Sequence, residues 1–199
     1  HFSPRVGFAW DFLSDGKSVL FGSYGQFVQS IPMDMNTRSF SAERNPTIFN
    51  FSPTSIVPDA AAGDSVILGG YIEPVDPELK AQYLDEISIG IEREVAAGIV
   101  AGVKGVYRRY GRVIEDGFVA SSGDYFIMNP GEGELGSAYP SARRHFRGYE
   151  ATVNARFSEK LWFTLSYLKS KTDGNYRGRY FTETEERDPN ATEAFDTPG

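Results

Sequence analysis

Residues 84–109, LDEISIGIEREVAAGIVAGVKGVYRR, decide the fold. As far as Val95, apolar and polar side chains alternate. A short Ala-Ala-Gly turn at 96–98 leads to Ile99–Arg109, where the alternation resumes. A period of two residues is typical of a β-strand with one apolar face, and a short turn joins two such strands as an antiparallel hairpin.

The same pattern occurs twice more. Apolar and polar residues alternate over 3–13, and Asp15-Gly16 is a strong turn signal. A second strand follows at 18–30, and its sequence does not decide which of its two faces points outward. Alternation over 145–158 passes through Ser158-Glu159 to 160–172. The first hairpin described above consists of strands at 82–95 and 99–112. The sequence therefore predicts an all-β fold of about six strands in three antiparallel up-and-down hairpins.

Three long polar segments, 31–82, 113–144 and 173–199, follow the hairpins, so very short turns alternate with very long loops. Loops held by a rigid scaffold suit recognition. We hypothesise that these loops form an outer vestibule that captures substrate. Their aromatic residues, expected to be exposed, are Phe40, Phe49, Phe51, Tyr71, Tyr125, Phe126, Tyr176, Tyr180 and Phe181.

Strands of about ten residues match a tilted membrane span. Short turns at one end and long loops at the other are the outer-membrane barrel arrangement. Aromatic residues near strand ends predict interfacial girdles: Phe8, Trp10, Phe12, Phe27, Phe157, Trp162 and Tyr167. The alternative is a soluble β-sheet whose polar face meets solvent.

In lipid a sheet must close, and known barrels begin at about eight strands. We therefore expect an open curved sheet that is part of a transmembrane β-barrel. Residues 1–199 are then expected to be a piece of a longer protein.

Several motifs occur in an order that resembles the barrel of TonB-dependent receptors, most closely the Oar-like branch. They are FSPRVGFAWD at 2–11, DGK at 15–17, GSYG at 22–25, VDPELK at 75–80, DEISIGIER at 85–93, RGYE at 147–150, RFS at 156–158 and SYLKSK at 166–171. The resemblance covers nearly the whole chain in order.

The resemblance implies an outer-membrane receptor that takes up or binds a bulky, unidentified extracellular substrate. Its partners would be outer-membrane lipid, its own plug domain and, through the plug, TonB. Neither the plug nor the TonB box is expected within 1–199. The alternatives are a passive porin or adhesin-like barrel, and a soluble carbohydrate-binding β-domain.

The alternation assigns one face of the sheet to lipid and the other to the barrel lumen. The expected lipid-facing residues are Val6, Phe8, Trp10, Ile87, Ile89, Ile91, Val103, Tyr107, Tyr149, Val153, Phe163 and Leu165. The expected lumen-facing residues are Glu86, Ser88, Glu92, Lys104, Arg108, Glu150, Thr152, Asn154 and Arg156.

Composition argues against enzymatic and nucleic-acid functions. The chain has no cysteine, two histidines and a net charge of −7, so a thiolate site, a His-rich metal site and a basic nucleic-acid face are not expected. We assign no catalytic, cofactor-binding or metal-binding residue, and we expect no enzyme activity.

Three features of the loops are candidate sites. The glycine-rich run Gly131–Gly136 lacks the strand and helix of a nucleotide fingerprint, and the acids at 183–196 lack EF-hand spacing. A flexible loop is expected at the first and a solvated acidic loop at the second. His145, with Arg143, Arg144 and Arg147, predicts a basic rim where a strand leaves the membrane, with binding of anionic lipopolysaccharide or of substrate as alternatives.

Overall fold

The computed structural model describes residues 2–29, 47–49, 65–67, 74–119, 124–178 and Phe195. Six strands form one open antiparallel sheet in the order β1-β2-β5-β6-β9-β10. These strands are β1 (Arg5–Trp10), β2 (Ser18–Val28), β5 (Tyr83–Ala96), β6 (Ile99–Gly111), β9 (Arg144–Arg156) and β10 (Trp162–Gly174). The prediction of an all-β fold with sequential antiparallel hairpins is confirmed.

The first hairpin differs from the predicted tight turn. β1 ends at Trp10 and β2 starts at Ser18, so seven residues connect them. The Asp11 carboxylate organises this connection by accepting the backbone N–H groups of Asp15 and Gly16, the latter at 2.8 Å. The side chain thus replaces ladder hydrogen bonds that a two-residue turn would have kept.

Smaller elements lie between the long strands. β3 (Thr47–Phe49) pairs with β4 (Ser65–Ile67), and β7 (Glu115–Val119) pairs with β8 (Asp124–Met128), each as a separate two-stranded sheet. A 3-10 turn spans Gly136–Ala138. No helix in the described part of the chain is long and apolar enough to cross a membrane.

The register defines the two faces of the large sheet. One row joins Phe8, Gly22, Ile89, Gly105, Tyr149 and Lys169 from edge to edge. The adjacent row joins Ala9, Phe21, Gly90, Lys104, Glu150 and Leu168, whose side chains point to the other face because successive residues alternate. β2, ambiguous in sequence, therefore places Leu20, Gly22 and Tyr24 on the face of Ile89.

Glycines leave room for aromatic rings on the polar face. The Phe21 ring lies over Gly90, and a Cβ added at Gly90 would also lie 2.9 Å from the Val103 carbonyl oxygen. At Gly105, on the opposite face, an added Cβ would meet nothing closer than 3.8 Å. A larger side chain is therefore expected to strain the sheet at Gly90 but not at Gly105.

We predict that Gly90→Ala destabilises the sheet by about 1–3 kcal/mol, because overpacking displaces the Phe21 ring and strains the neighbouring strand. Gly105→Ala is the matched control and should be neutral or slightly stabilising, since it adds a methyl group in ordinary contact distance. Urea unfolding of the full-length protein in detergent, followed on heat-modifiable gels, measures both. Equal midpoints would contradict this account.

Candidate functional site

The wall formed by the six strands is the first part of the candidate site. The register places all twelve residues assigned to lipid on one face of the sheet. Eleven of them are exposed, up to 68% for Val6, and Val153 is half-buried. An apolar face this extensive needs a non-aqueous partner. That the partner is lipid stays a prediction of these residue assignments.

The apolar band crosses the strands diagonally. The band is centred on Phe8 in β1 and on Leu165 in β10. The row of paired residues that begins at Phe8 ends at Lys169 in β10, so the centre of the band is displaced by four residues from this row. Four residues over five strand spacings correspond to an angle of roughly 30°. Barrel strands tilt by about 35–45° against the membrane normal, so a level apolar band must cross them at such an angle.

The nine residues assigned to the lumen share the opposite face, and cross-strand partners hold several of them. Arg108 forms an ion pair with Glu86, and Lys104 pairs with Glu150 at 3.0 Å. Thr164 Oγ1 donates to Asn154 Oδ1 at 2.8 Å. These contacts pair polar side chains across neighbouring strands, as is usual for a sheet face that is not packed in an apolar core.

Two of the predicted girdle aromatics lie on this polar face. Phe27 shares the face of Gly25, and its ring lies under the Arg5 guanidinium at 4.5 Å. Trp162 is opposite Arg156 in the register. The prediction that they belong to an interfacial girdle is wrong, because the two-residue period carries both side chains inward.

The second part of the candidate site is a folded cap at the long-loop end of the sheet. It is formed by 74–82, by 112–119 and 124–142, which include the β7–β8 hairpin, and by Tyr176 and Phe195. Its buried cluster is Val113, Phe126, Met128, Tyr139, Tyr176 and Phe195, and a second cluster pairs Ile114 with Ile127. The main buried apolar core described thus lies in the cap and not under the sheet.

The cap corrects the expectation of exposed loop aromatics. Phe126 and Tyr176 are both 4% exposed because they pack in the cap core. Tyr125 is half-buried and contacts the Phe118 ring. The side chains of Phe40, Phe49, Phe51, Tyr71, Tyr180 and Phe181, and the acids at 183–196, lie outside the described residues.

Asp76 connects two distant parts of the cap. Its carboxylate accepts the backbone N–H groups of Glu78, Glu134, Leu135 and Gly136, at 2.8, 3.4, 2.9 and 3.1 Å. Gly133 has a positive φ of 80°, and a Cβ there would lie 2.6 Å from Asp76 Oδ2. The glycine-rich run is therefore an anion-binding turn occupied by the chain's own carboxylate and held by its hydrogen bonds, where we expected a flexible loop.

These contacts also set the protonation of Asp76. Burial alone would raise its pKa, but the hydrogen bonds from Glu78, Leu135, Gly136 and Glu134 outweigh burial and hold the pKa below its usual value. A group with a lowered folded-state pKa stabilises the fold above its unfolded value and loses that contribution as pH falls.

Where the cap meets the sheet, a polar cavity of about 540 Å³ opens at the strand ends. Its lining includes Gln29, Gln82, Tyr110, Arg144 and Tyr176. The Arg144 guanidinium lies over the Tyr110 ring at 5.3 Å and donates to the Arg177 carbonyl at 2.8 Å. Arg144 was recognised in sequence only as part of a basic rim, because the glutamines and tyrosines that complete the cavity come from other segments.

His145 does not join Arg144 at this cavity. It lies on the outward face, 3.7 Å from the Asp173 carboxylate, and Arg147 reaches the same carboxylate at 3.8 Å. The predicted basic rim is thus divided, with Arg144 turned inward and His145 and Arg147 turned outward.

Known proteins resemble this chain over nearly its whole length. The profile of the outer membrane beta barrel domain family matches residues 1–197. The TonB-dependent transporter Oar of Myxococcus xanthus is 29% identical over 224 residues, covering 98% of this chain and 21% of that protein. The outer membrane transporter YddB from Escherichia coli has a similar fold, with a TM-score of 0.52 at 15% identity, covering 85% of this chain and 20% of that one. The chain therefore spans about a fifth of the length of these relatives.

We predict that Ile89→Arg costs about 2–4 kcal/mol, because it places a charge near the middle of the apolar band. The control is Ser88→Arg on the neighbouring position of the opposite face, which should cost no more than about 1 kcal/mol, because it removes only the hydrogen bond to Ser23 and leaves the charge on the polar face. Unfolding of the full-length protein in lipid vesicles measures both. Equal losses at the two positions would contradict the assignment of the faces.

We also predict that the cap loosens in acid. Below about pH 4, the usual value of an aspartate, protonation of Asp76 removes its contribution, and the hydrogen-exchange protection of 130–140 should fall. Asp76→Asn should show low protection already at neutral pH. The control Glu78→Gln, which leaves the Glu78 backbone donor in place, should behave like the unaltered protein. Protection of 130–140 that is unchanged in Asp76→Asn would contradict the role of Asp76.

Proposed function

The chain belongs to the outer membrane beta barrel domain family of bacterial outer-membrane proteins, and on that premise we propose that it forms part of the wall and outer mouth of a TonB-dependent receptor. The observation that carries the proposal is a sheet with two unlike faces and a folded cap at one end. One face exposes apolar side chains, and on the other face polar side chains pair across neighbouring strands. The named relative is a TonB-dependent transporter, which supports the same reading.

The wall suits a wide barrel that holds a polar plug. Its inner face carries ion pairs such as Lys104–Glu150 and hydrogen-bonded pairs such as Ser23–Ser88 at 2.8 Å. Pairs of this kind keep the wall from presenting isolated charges to whatever fills the lumen. The chain would then face lipid outside and its own plug domain inside.

The cap and the polar cavity suit capture of a bulky substrate from outside the cell. Long loops of outer-membrane barrels are extracellular, and a cap with its own core presents a defined surface there. The cavity offers an arginine, two glutamines and two tyrosines, groups that bind polar ligands by hydrogen bonds and ring contacts. The substrate would thus be a polar molecule too large for passive diffusion.

Energy for uptake would come from TonB and not from chemistry in this chain. We propose that the protein binds and transports, and that it is not an enzyme. The competing functions are a passive porin and an adhesin-like barrel, which share the wall but need neither plug nor TonB.

Two measurements on the full-length protein test the proposal without knowledge of the substrate. We expect it to copurify with TonB after cross-linking in cells, and we expect no steady conductance in planar bilayers, because the plug fills the lumen. Stable open-channel steps would identify a passive porin. A closed barrel that never cross-links to TonB would instead favour an adhesin.

A further inference from the structure

The polar cavity at the strand ends contains an arginine whose charge has no carboxylate partner in the described part of the chain. Arg144 is half-buried, and none of the ion pairs among the described residues includes it. On the same face of the sheet, Lys104 does have such a partner in Glu150. None of the described residues that line the cavity is acidic. The cavity therefore holds a positive charge that an anion can still pair with.

Contacts on several sides fix the position of this guanidinium. It lies over the Tyr110 ring at 5.3 Å, and its Nη1 donates to the Arg177 carbonyl oxygen at 2.8 Å. Gly178 passes so close, with a φ of 105°, that a Cβ added there would clash with Nη1. A guanidinium has five N–H donors in a rigid fork, and the carbonyl uses one of them. The remaining donors are therefore held in place at the cavity.

The two glutamines of the cavity also leave a donor for a ligand. Gln82 Oε1 accepts the backbone N–H of Ile114 at 3.0 Å, and this bond fixes which end of the amide is the oxygen. Gln82 Nε2 then donates to Gln29 Oε1 at 2.6 Å, so each amide oxygen already accepts a hydrogen bond. Gln29 Nε2 has no hydrogen-bond partner within the described ranges. The amide network thus spends its acceptors inside the protein and keeps a donor.

We propose that this cavity selects substrates that carry an anionic group which accepts hydrogen bonds and donates none, a carboxylate or a phosphate ester. Arg144 binds this group through charge-assisted hydrogen bonds, and Gln29 Nε2 donates a further one. A hydroxyl or an amide in the same place leaves the charge of Arg144 unmatched and therefore binds more weakly. The substrate class is then a water-soluble organic anion.

The inference rests on the proposed function, because it takes the cavity as a place where substrate is bound. The anionic group arrives from the water outside the cell and not from the membrane, since Arg144 lies on the inner face of the wall, opposite the face of His145. The positions of Arg144 and Gln29 in the cavity, at the end of the sheet that carries the cap, place the selection at the mouth of the barrel.

Chemical modification of Arg144 in the full-length protein in detergent tests the anion site without knowledge of the substrate. Phenylglyoxal reacts with guanidinium groups, and peptide mass spectrometry measures its rate at Arg144. Arg156, exposed on the same face at the short-turn end, is the internal reference. The probes, at equal ionic strength, are acetate, methyl phosphate and acetamide, which is the neutral analogue of acetate.

We expect acetate or methyl phosphate at about 0.2 M to slow modification of Arg144 roughly threefold, as binding with a dissociation constant of about 0.1 M would do. Acetamide should have no effect, and the rate at Arg156 should not change with any probe. The anion that protects more strongly identifies the group as a carboxylate or as a phosphate. Equal protection by acetamide, or no protection by either anion, would overturn the proposal.

A matched pair of variants tests the role of the free donor. Gln29→Glu keeps an oxygen that accepts from Gln82 but replaces the free donor with a second carboxylate oxygen, so it supplies the cavity with its own anion. Protection by acetate should disappear in this variant. The control Asn154→Asp makes the same replacement near the short-turn end and keeps an oxygen that accepts from Thr164, so threefold protection should remain.

Undiminished protection in Gln29→Glu would overturn the proposal. Heat resistance on gels is measured for both variants, so that a change in binding is not mistaken for a change in folding. Failure of this test and failure of the TonB test have different meanings. Cross-linking to TonB without anion protection would leave a receptor whose substrate is not selected by charge, whereas protection without cross-linking would support the anion site and overturn TonB-dependent transport.

Discussion

Hydrogen bonding of the backbone is the constraint on which this structure depends. In the hydrocarbon core of a membrane no water is present to pair with a free N–H or C=O group, so every strand must pair with a neighbour on each side. The four inner strands of the sheet meet this demand in an antiparallel ladder, and β1 and β10 each have one unpaired edge in the described part of the chain. The same ladder sends alternate side chains to opposite faces, and from that alternation follow both an apolar outer surface and a polar inner one.

The two faces solve different problems with the same strands. Large apolar residues are exposed on one face, and contact with lipid in place of a protein core would account for them. On the inner face, charges remain close to partners across the strands, as with Lys104 and Glu150. A sheet that separates lipid from a polar lumen therefore needs little buried core of its own, and the main core of the described chain forms in the cap instead.

The cap shows where reasoning from sequence stopped. Its loops are rich in glycine and polar residues, which is typical of solvated segments, and we expected their aromatics to be exposed. The structure buries Phe126 and Tyr176 and uses the glycine-rich run to bind Asp76. No local pattern predicts this, because the donors at Leu135 and Gly136 are 59 and 60 residues from Asp76, and the fold of β6 and the β7–β8 hairpin brings them together.

The sequence by itself determined the strands, the two-residue turn between β5 and β6 and the residues that share a face, because a two-residue period and a turn signal are local properties. It also carried the family resemblance. Only the tertiary structure decided which face of β2 points outward, that Phe27 and Trp162 turn inward, and that Arg144 and Arg147 serve opposite sides of the wall. Those choices depend on pairing between strands, and a one-residue change of register would exchange every side chain between lipid and lumen.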